Sequence, residues 1–129
     1  MYLDADVIYA YIKPTDWLKK HAEKILQLKN LQTSIITITE LEIVAKRDFQ
    51  DDFYNKILDK ITEIKNLKII NLNIEILKKA AELRKKYNFN IFDSIHAATA
   101  IISEEEIIIS SDSAFGDLTE IKKEDPRKF

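Results

Sequence analysis

The chain has 129 residues, 46% of them hydrophobic and 33% charged, a composition that fits one folded domain over residues 1–129 and excludes a disordered chain. A net charge of −2 excludes a molecule drawn to nucleic acid by its overall charge, so a nucleic-acid role requires a local basic patch. The absence of cysteine excludes disulfides, thiolate metal sites and cysteine nucleophiles, and is compatible with a reducing cytoplasm, the expected location.

The elements follow in chain order. "MYLDADVIYAYI" reads as a short strand running into a helix, with Asp4 near the junction. "PTDWLKKHAEKILQL" has a Pro-Thr-Asp start, and Trp17, Leu18, Ala22, Ile25 and Leu26 draw one apolar helical face, which assigns Trp17 to packing. "TSII" is short and β-branched, a predicted strand. The helix after it is predicted from "TITELEIVAKR", with Leu41, Val44 and Ala45 in register. "DDFYNKILDKITEI" is amphipathic through Phe53, Ile57, Ile61 and Ile64. "LKIINL" reads as a strand, and "NIEILKKAAELRKKY" as a helix with Ile76, Leu77, Ala80, Ala81 and Leu83 on its apolar face. "IFDSIHAATAIIS" is an apolar helix, and "EIIIS" has the continuous apolar run of a strand buried on both faces. "SDSAFGDL" reads as a turn and "TEIKK" as a final strand. No run is long enough to cross a bilayer, and the start lacks the pattern of a secretory signal.

Strands alternating with helices predict an α/β fold of three layers, α/β/α, around a mainly parallel sheet. Ligands in such sheets gather beyond the carboxyl ends of the strands. Three acids stand at or just past a predicted strand end: Asp4, Glu40 and Asp112. Asp93 opens a helix. Each has a structural explanation. Asp4 or Asp6 suits the cap of the first helix. Thr37-Ile38-Thr39-Glu40 fits a capping box. Asn90 suits a cap that leaves Asp93 in the first turn, and Asp112 suits the turn after the isoleucine strand. Together, however, converging carboxylates repel one another unless a cation neutralises them. An oxygen-only donor set favours Mg²⁺ or Mn²⁺ over Zn²⁺, and such ions support phosphoryl chemistry.

The same residues carry a family resemblance. The sequence resembles PIN-domain ribonucleases, especially the VapC-type toxins of toxin–antitoxin systems. "YLDADVIYAY", "TSIITITELEIV", "IFDSIHAATA" and "IIISSDSAF" are similar, in order, to the four blocks of that family, and the third is the most specific. The resemblance implies a PIN-like fold in which Asp4, Glu40, Asp93 and Asp112 form a metal pocket, with Asp4 and Asp93 as direct ligands. Ser110 matches a small hydroxyl residue near the pocket, and Asp6 falls where the family often has Asn, Ser or Thr. The implied activity is Mg²⁺- or Mn²⁺-dependent hydrolysis of single-stranded RNA, leaving 5′-phosphate and 3′-hydroxyl ends. The implied partners are a second copy in a homodimer and a small antitoxin, with no membrane.

Other readings remain. Asp4-Ala5-Asp6 is similar to the opening of HAD-like phosphomonoesterases, in which Asp4 becomes the nucleophile, and Gly116-Asp117 with Glu120 gives a faint match to their late acidic motif. That reading leaves Glu40 and Asp93 without roles. A non-catalytic PIN-fold domain binding RNA or a partner is the third reading. One late glycine excludes a Gly-rich nucleotide loop. His96 lies one helical turn after Asp93 and is expected either as a buried structural histidine or in contact with substrate or Asp93. Ser94 lacks a recognisable base. Lys46, Arg47, Arg84, Lys85 and Lys86 are candidate phosphate contacts, although helix ends attract such cations anyway.

Overall fold

A computed structural model describes residues 1–48 and 52–129, the side chains of 52 and 53 excepted. The strands are β1 (Tyr2–Leu3), β2 (Leu31–Ser34), β3 (Leu67–Ile70), β4 (Ile107–Ile109) and β5 (Lys122–Glu124). The helices are α1 (Ala5–Ile12), α2 (Lys19–Ile25), α3 (Ile35–Asp48), α4 (Asp52–Thr62), α5 (Ile74–Tyr87) and α6 (Ile91–Ile102). All strand pairs are parallel, in the order β3-β2-β1-β4-β5. The order reverses at β1, so the crevice between β1 and β4 is the topological switch point at which such sheets bind ligands. Among the described residues no helix is long and apolar enough to cross a membrane.

Alternation along the central strands divides the core. Leu3 and Ile109 face one layer with α1–α4, while Tyr2 and Ile108 face the other with α5 and α6. Both faces of β1 and β4 are therefore dry, as the isoleucine run predicts. Truncating Ile109, fully buried, leaves a cavity under β1; Ile109→Ala should cost about 3 kcal/mol, read as a lowered denaturant midpoint with an unchanged slope.

Several boundaries differ from the sequence expectation. The strand before α3 is Leu31–Ser34, so Ile35 and Ile36 of "TSII" already lie in the helix. The reason is tertiary: Thr33 Oγ1 donates to the Leu3 carbonyl at 2.8 Å and is 2.7 Å from Thr37 Oγ1, while Ser34 Oγ accepts from the Ile36 amide. Thr37 is thus a buried residue inside α3, and the predicted capping box with Glu40 does not form. The helix predicted from Pro14 begins only at Lys19, where Asp16 accepts from the Leu18 amide, and Trp17 stands outside it, 67% exposed rather than packed. Leu77 is 41% exposed because α5 buries only the stripe Ile76, Ala80 and Leu83. The turn after β4 is a 3₁₀ helix over Ser113–Asp117, and the last strand lies later than "TEIKK" suggests. Asp51 and the Phe53 side chain of the fourth predicted helix lie outside the described residues.

Candidate active site

The carboxyl edge of β1 and β4 gathers the acids. Asp4 follows β1 directly, is buried, and caps α1 with Oδ1, which accepts from the Ala5 amide at 2.7 Å. Its Oδ2 accepts from the Ser110 hydroxyl at 2.7 Å, so the residue after β1 is tied to the residue after β4. Ser110 Oγ also accepts from the Asp112 amide at 3.0 Å. Asp112 is exposed and caps the 3₁₀ helix through the Ala114 amide at 2.8 Å. Asp93 sits half-buried in the first turn of α6, behind the Asn90 cap. Its pKa is pushed up to about 6, first by burial, then by the charges of Asp112, Asp4 and Glu40, with His96 pulling the other way. The four acids therefore share one electrostatic field, although they come from four separate stretches of chain.

Glu40 projects from α3 to the Nε2 of His96, which lies 3.6 Å from Asp4 Oδ1. His96 is fully buried. Its Nδ1 lies 2.6 Å from the hydroxyl of Tyr2, on the strand that ends in Asp4. Burial lowers the pKa of such an imidazole, but the hydrogen bond to Glu40 and the charges of Asp4, Glu40 and Asp93 outweigh it, and the pKa is raised. The Tyr2 hydroxyl is held well above its ordinary value by burial and by Asp4, so it stays protonated. His96 is both structural and a neighbour of the acids, which merges the two sequence readings of it.

Asp6 bonds to Ser111 rather than to Ser110 or His96. Its Oδ2 accepts from the Ser111 amide at 2.7 Å and from the Ser111 hydroxyl, while Oδ1 is buried without a partner. Burial first, then the charge of Asp4, push its pKa up to about 6 against the pull of Ser111. The folded pKa thus exceeds the unfolded value of about 3.9. The folded state binds more protons between roughly pH 4 and 6, and the stability linked to this group falls as pH rises through that window. Asp6→Asn removes the charge and keeps an acceptor for Ser111. It should melt higher than wild type at pH 7, by an amount on the order of 1–2 kcal/mol, with the difference shrinking at pH 4, and it should only weaken activity.

The basic candidates divide. Arg47 pairs with Asp48, and Lys86 with Glu120, both on the surface. Arg84 reaches α6, donating to Ser94 Oγ at 2.8 Å beside Asp93. The Ser94 hydroxyl is itself donated to the Ile91 carbonyl at 2.7 Å, so it is a buried tie between helices rather than a nucleophile. Tyr2 and Ser111 carry no local mark of a site residue in the sequence. Their signal lies in partners 94 and 105 residues away.

The donor set is oxygen-only, with surplus negative charge that raises the pKa of Asp93. That chemistry fits a hard divalent cation. Among the described residues no three such side chains already stand close enough to hold an ion. Glu40 is engaged with His96, and Asp4 has both oxygens in hydrogen bonds.

A family model, described as PIN domain, matches residues 1–121. A comparison with curated protein sequences found no match. Among solved structures, FitAcB from Neisseria gonorrhoeae is similar at a TM-score of 0.77 and 16% identity, over 99% of each chain. The DNA-bound VapBC of Salmonella typhimurium is similar at 0.77 and 16%, over 97% of this chain and 96% of that one. VapC20 of Mycobacterium tuberculosis, described as a toxin cleaving the sarcin-ricin loop, is similar at 0.75 and 12%, over 94% of this chain and 98% of that one.

Proposed function

The chain belongs to the PIN domain family, and from that premise we propose that it is a metal-dependent endoribonuclease hydrolysing phosphodiester bonds of single-stranded RNA, the toxin of a toxin–antitoxin pair. The observation that carries this reading is the convergence of the acids at the switch point of the sheet: Ser110 bonds both Asp4 and the Asp112 amide, and His96, one turn after Asp93, bonds Glu40 and lies 3.6 Å from Asp4. All 129 residues act as one domain in this reading.

Asp4 and Asp93 would hold Mg²⁺ or Mn²⁺, with Glu40 and Asp112 completing the site. When bound, such an ion supplies an activated water and charge stabilisation for in-line phosphoryl displacement. The chain's own residues supply the rest. Ser110 fixes the Asp4 carboxylate through its hydroxyl, and the α1 amide fixes the other oxygen. His96, backed by Tyr2, orients Glu40. Arg84 braces the start of α6 through Ser94, next to Asp93. Burial is graded from buried Asp4 through half-buried Asp93 to exposed Asp112, so solvent reaches the acids from the Asp112 side.

The phosphomonoesterase alternative is disfavoured by the family match, and it gives no role to Glu40 and Asp93, which share the field of Asp4. One similar structure is described as a toxin–antitoxin complex and another as a member of the VapBC family of toxin–antitoxin systems, which supports a small antitoxin as partner here. A homodimer, and a cytoplasmic location, belong to the same proposal. The test is cleavage of unpaired RNA with Mn²⁺ and analysis of the product ends. Metal-dependent cutting that leaves 5′-phosphates supports the reading; trapping of a phospho-aspartate, or no cutting of any RNA, would sink it.

A further inference from the structure

Trp17 is the single tryptophan of the chain, and 67% of it is open to solvent. An isolated exposed apolar side chain needs no explanation, but this one is not isolated. The guanidinium of Arg127 lies over its ring, 5.9 Å from the centroid. Arg127 is held there by Asp125: Nε donates to Oδ1 at 2.8 Å and Nη2 to Oδ2 at 2.5 Å. Such a two-point pair fixes the plane of the guanidinium. The same stretch of chain carries two more pairs of this kind. Lys13 Nζ is 5.4 Å from the Tyr9 ring, and Lys19 Nζ is 5.8 Å from that of Tyr11. Both tyrosine rings are half-buried against the core, so of the three only Trp17 offers an open face; an open aromatic face backed by a cation suits unpaired nucleic acid, because every base has a face that stacks.

Placement supplies an independent observation. Arg127 follows the end of β5 by three residues, at most about 10 Å of chain. The last residue of β5, Glu124, accepts at its carbonyl from the Ser110 amide at 3.1 Å, and Ser110 in turn holds Asp4. The segment carrying Arg127 therefore leaves the sheet at the edge where the acids stand. Its 3₁₀ turn, Pro126–Lys128, packs on α2, which begins two residues after Trp17.

We propose that Trp17, backed by Arg127, is a stacking site for an unpaired RNA base, on the same sheet edge as the four acids. The inference rests on the ribonuclease reading and adds a place where the strand is held.

Because Trp17 is the only tryptophan, the fluorescence of the wild-type protein reports on this site alone. In chelator, where no cutting occurs, oligouridylate should quench it saturably, while an RNA duplex of equal length should not. Trp17→Ala should weaken oligouridylate binding about tenfold with kcat unchanged, and Trp17→Phe should lose less. Equal quenching by the duplex, or no quenching while RNA binds, would overturn the stacking site. A concentration-dependent blue shift without RNA would overturn it too, because a second copy then covers Trp17. Metal-dependent cleavage with a silent Trp17 removes the stacking site alone; saturable quenching without any cleavage removes the nuclease and keeps the site.

Discussion

Asp4→Asn should abolish metal-dependent RNA cleavage, by at least about 100-fold, and leave the fold standing. The magnitude follows from its proposed role, since losing even a partner of a metal ligand costs about 10–100-fold in affinity or activity. The fold should survive because Asn is as good a helix cap as Asp. Its side-chain oxygen can still accept from the Ala5 amide, and the Ser110 hydroxyl can turn to accept from the new amide group. Cleavage of a single-stranded RNA with Mn²⁺, beside a thermal melt of the same preparation, separates the two roles. Full activity in the variant would refute the site; a collapsed melt would show that Asp4 is held for capping.

Asp93→Asn has the second large effect, and it points in two directions. Activity should fall by a similar factor, while the metal-free protein becomes more stable at pH 7. In the folded state the Asp93 pKa is raised to about 6, above an unfolded value of about 3.9. A raised acid binds extra protons in the folded state, so the stability it contributes is present at low pH and lost as pH rises through roughly 4 to 6. At pH 7 the carboxylate is a net burden that Asn removes. Asp93 is only half-buried, so solvent screening cuts the gain to about 1 kcal/mol, or about 4 °C. Melts in chelator at pH 7 and pH 4 check this: the advantage of the variant should be clear at the first and nearly gone at the second. A variant less stable than wild type at both would return Asp93 to a purely structural role in the first turn of α6. Saturating Mn²⁺ should reverse the order at pH 7, because only wild type gains from the ion.

Much of the fold was legible in the sequence because its signals are local. The isoleucine run of β4, the Ile76, Ala80 and Leu83 stripe of α5, and the Asn90 cap each lie within one element. The same holds for Asp4, whose place at a strand end is visible from its immediate neighbours. What escaped was set at long range. The start of α3 depends on Thr33 reaching the Leu3 carbonyl, 30 residues away, and that contact also cancels the Thr37 cap. Tyr2 looks like any core aromatic until His96 meets its hydroxyl. Ser111 looks like a turn residue until it satisfies Asp6. Trp17 has the spacing of a buried stripe, yet the helix starts after it, and a residue outside the helix does not follow its period.

The tie between Asp4 and Ser110 spans 106 residues, and the Asp4 amide is also held by the Ile109 carbonyl. Contacts of such separation form late, after the chain between them has been made and ordered. During synthesis, the first aspartate of the pocket emerges early but has no β4 beside it until the residues near 110 follow. On the ribonuclease reading, a growing chain is therefore harmless to the message from which it is being read. The capacity to cut arrives only once β4 and Ser110 have been made and have joined β1.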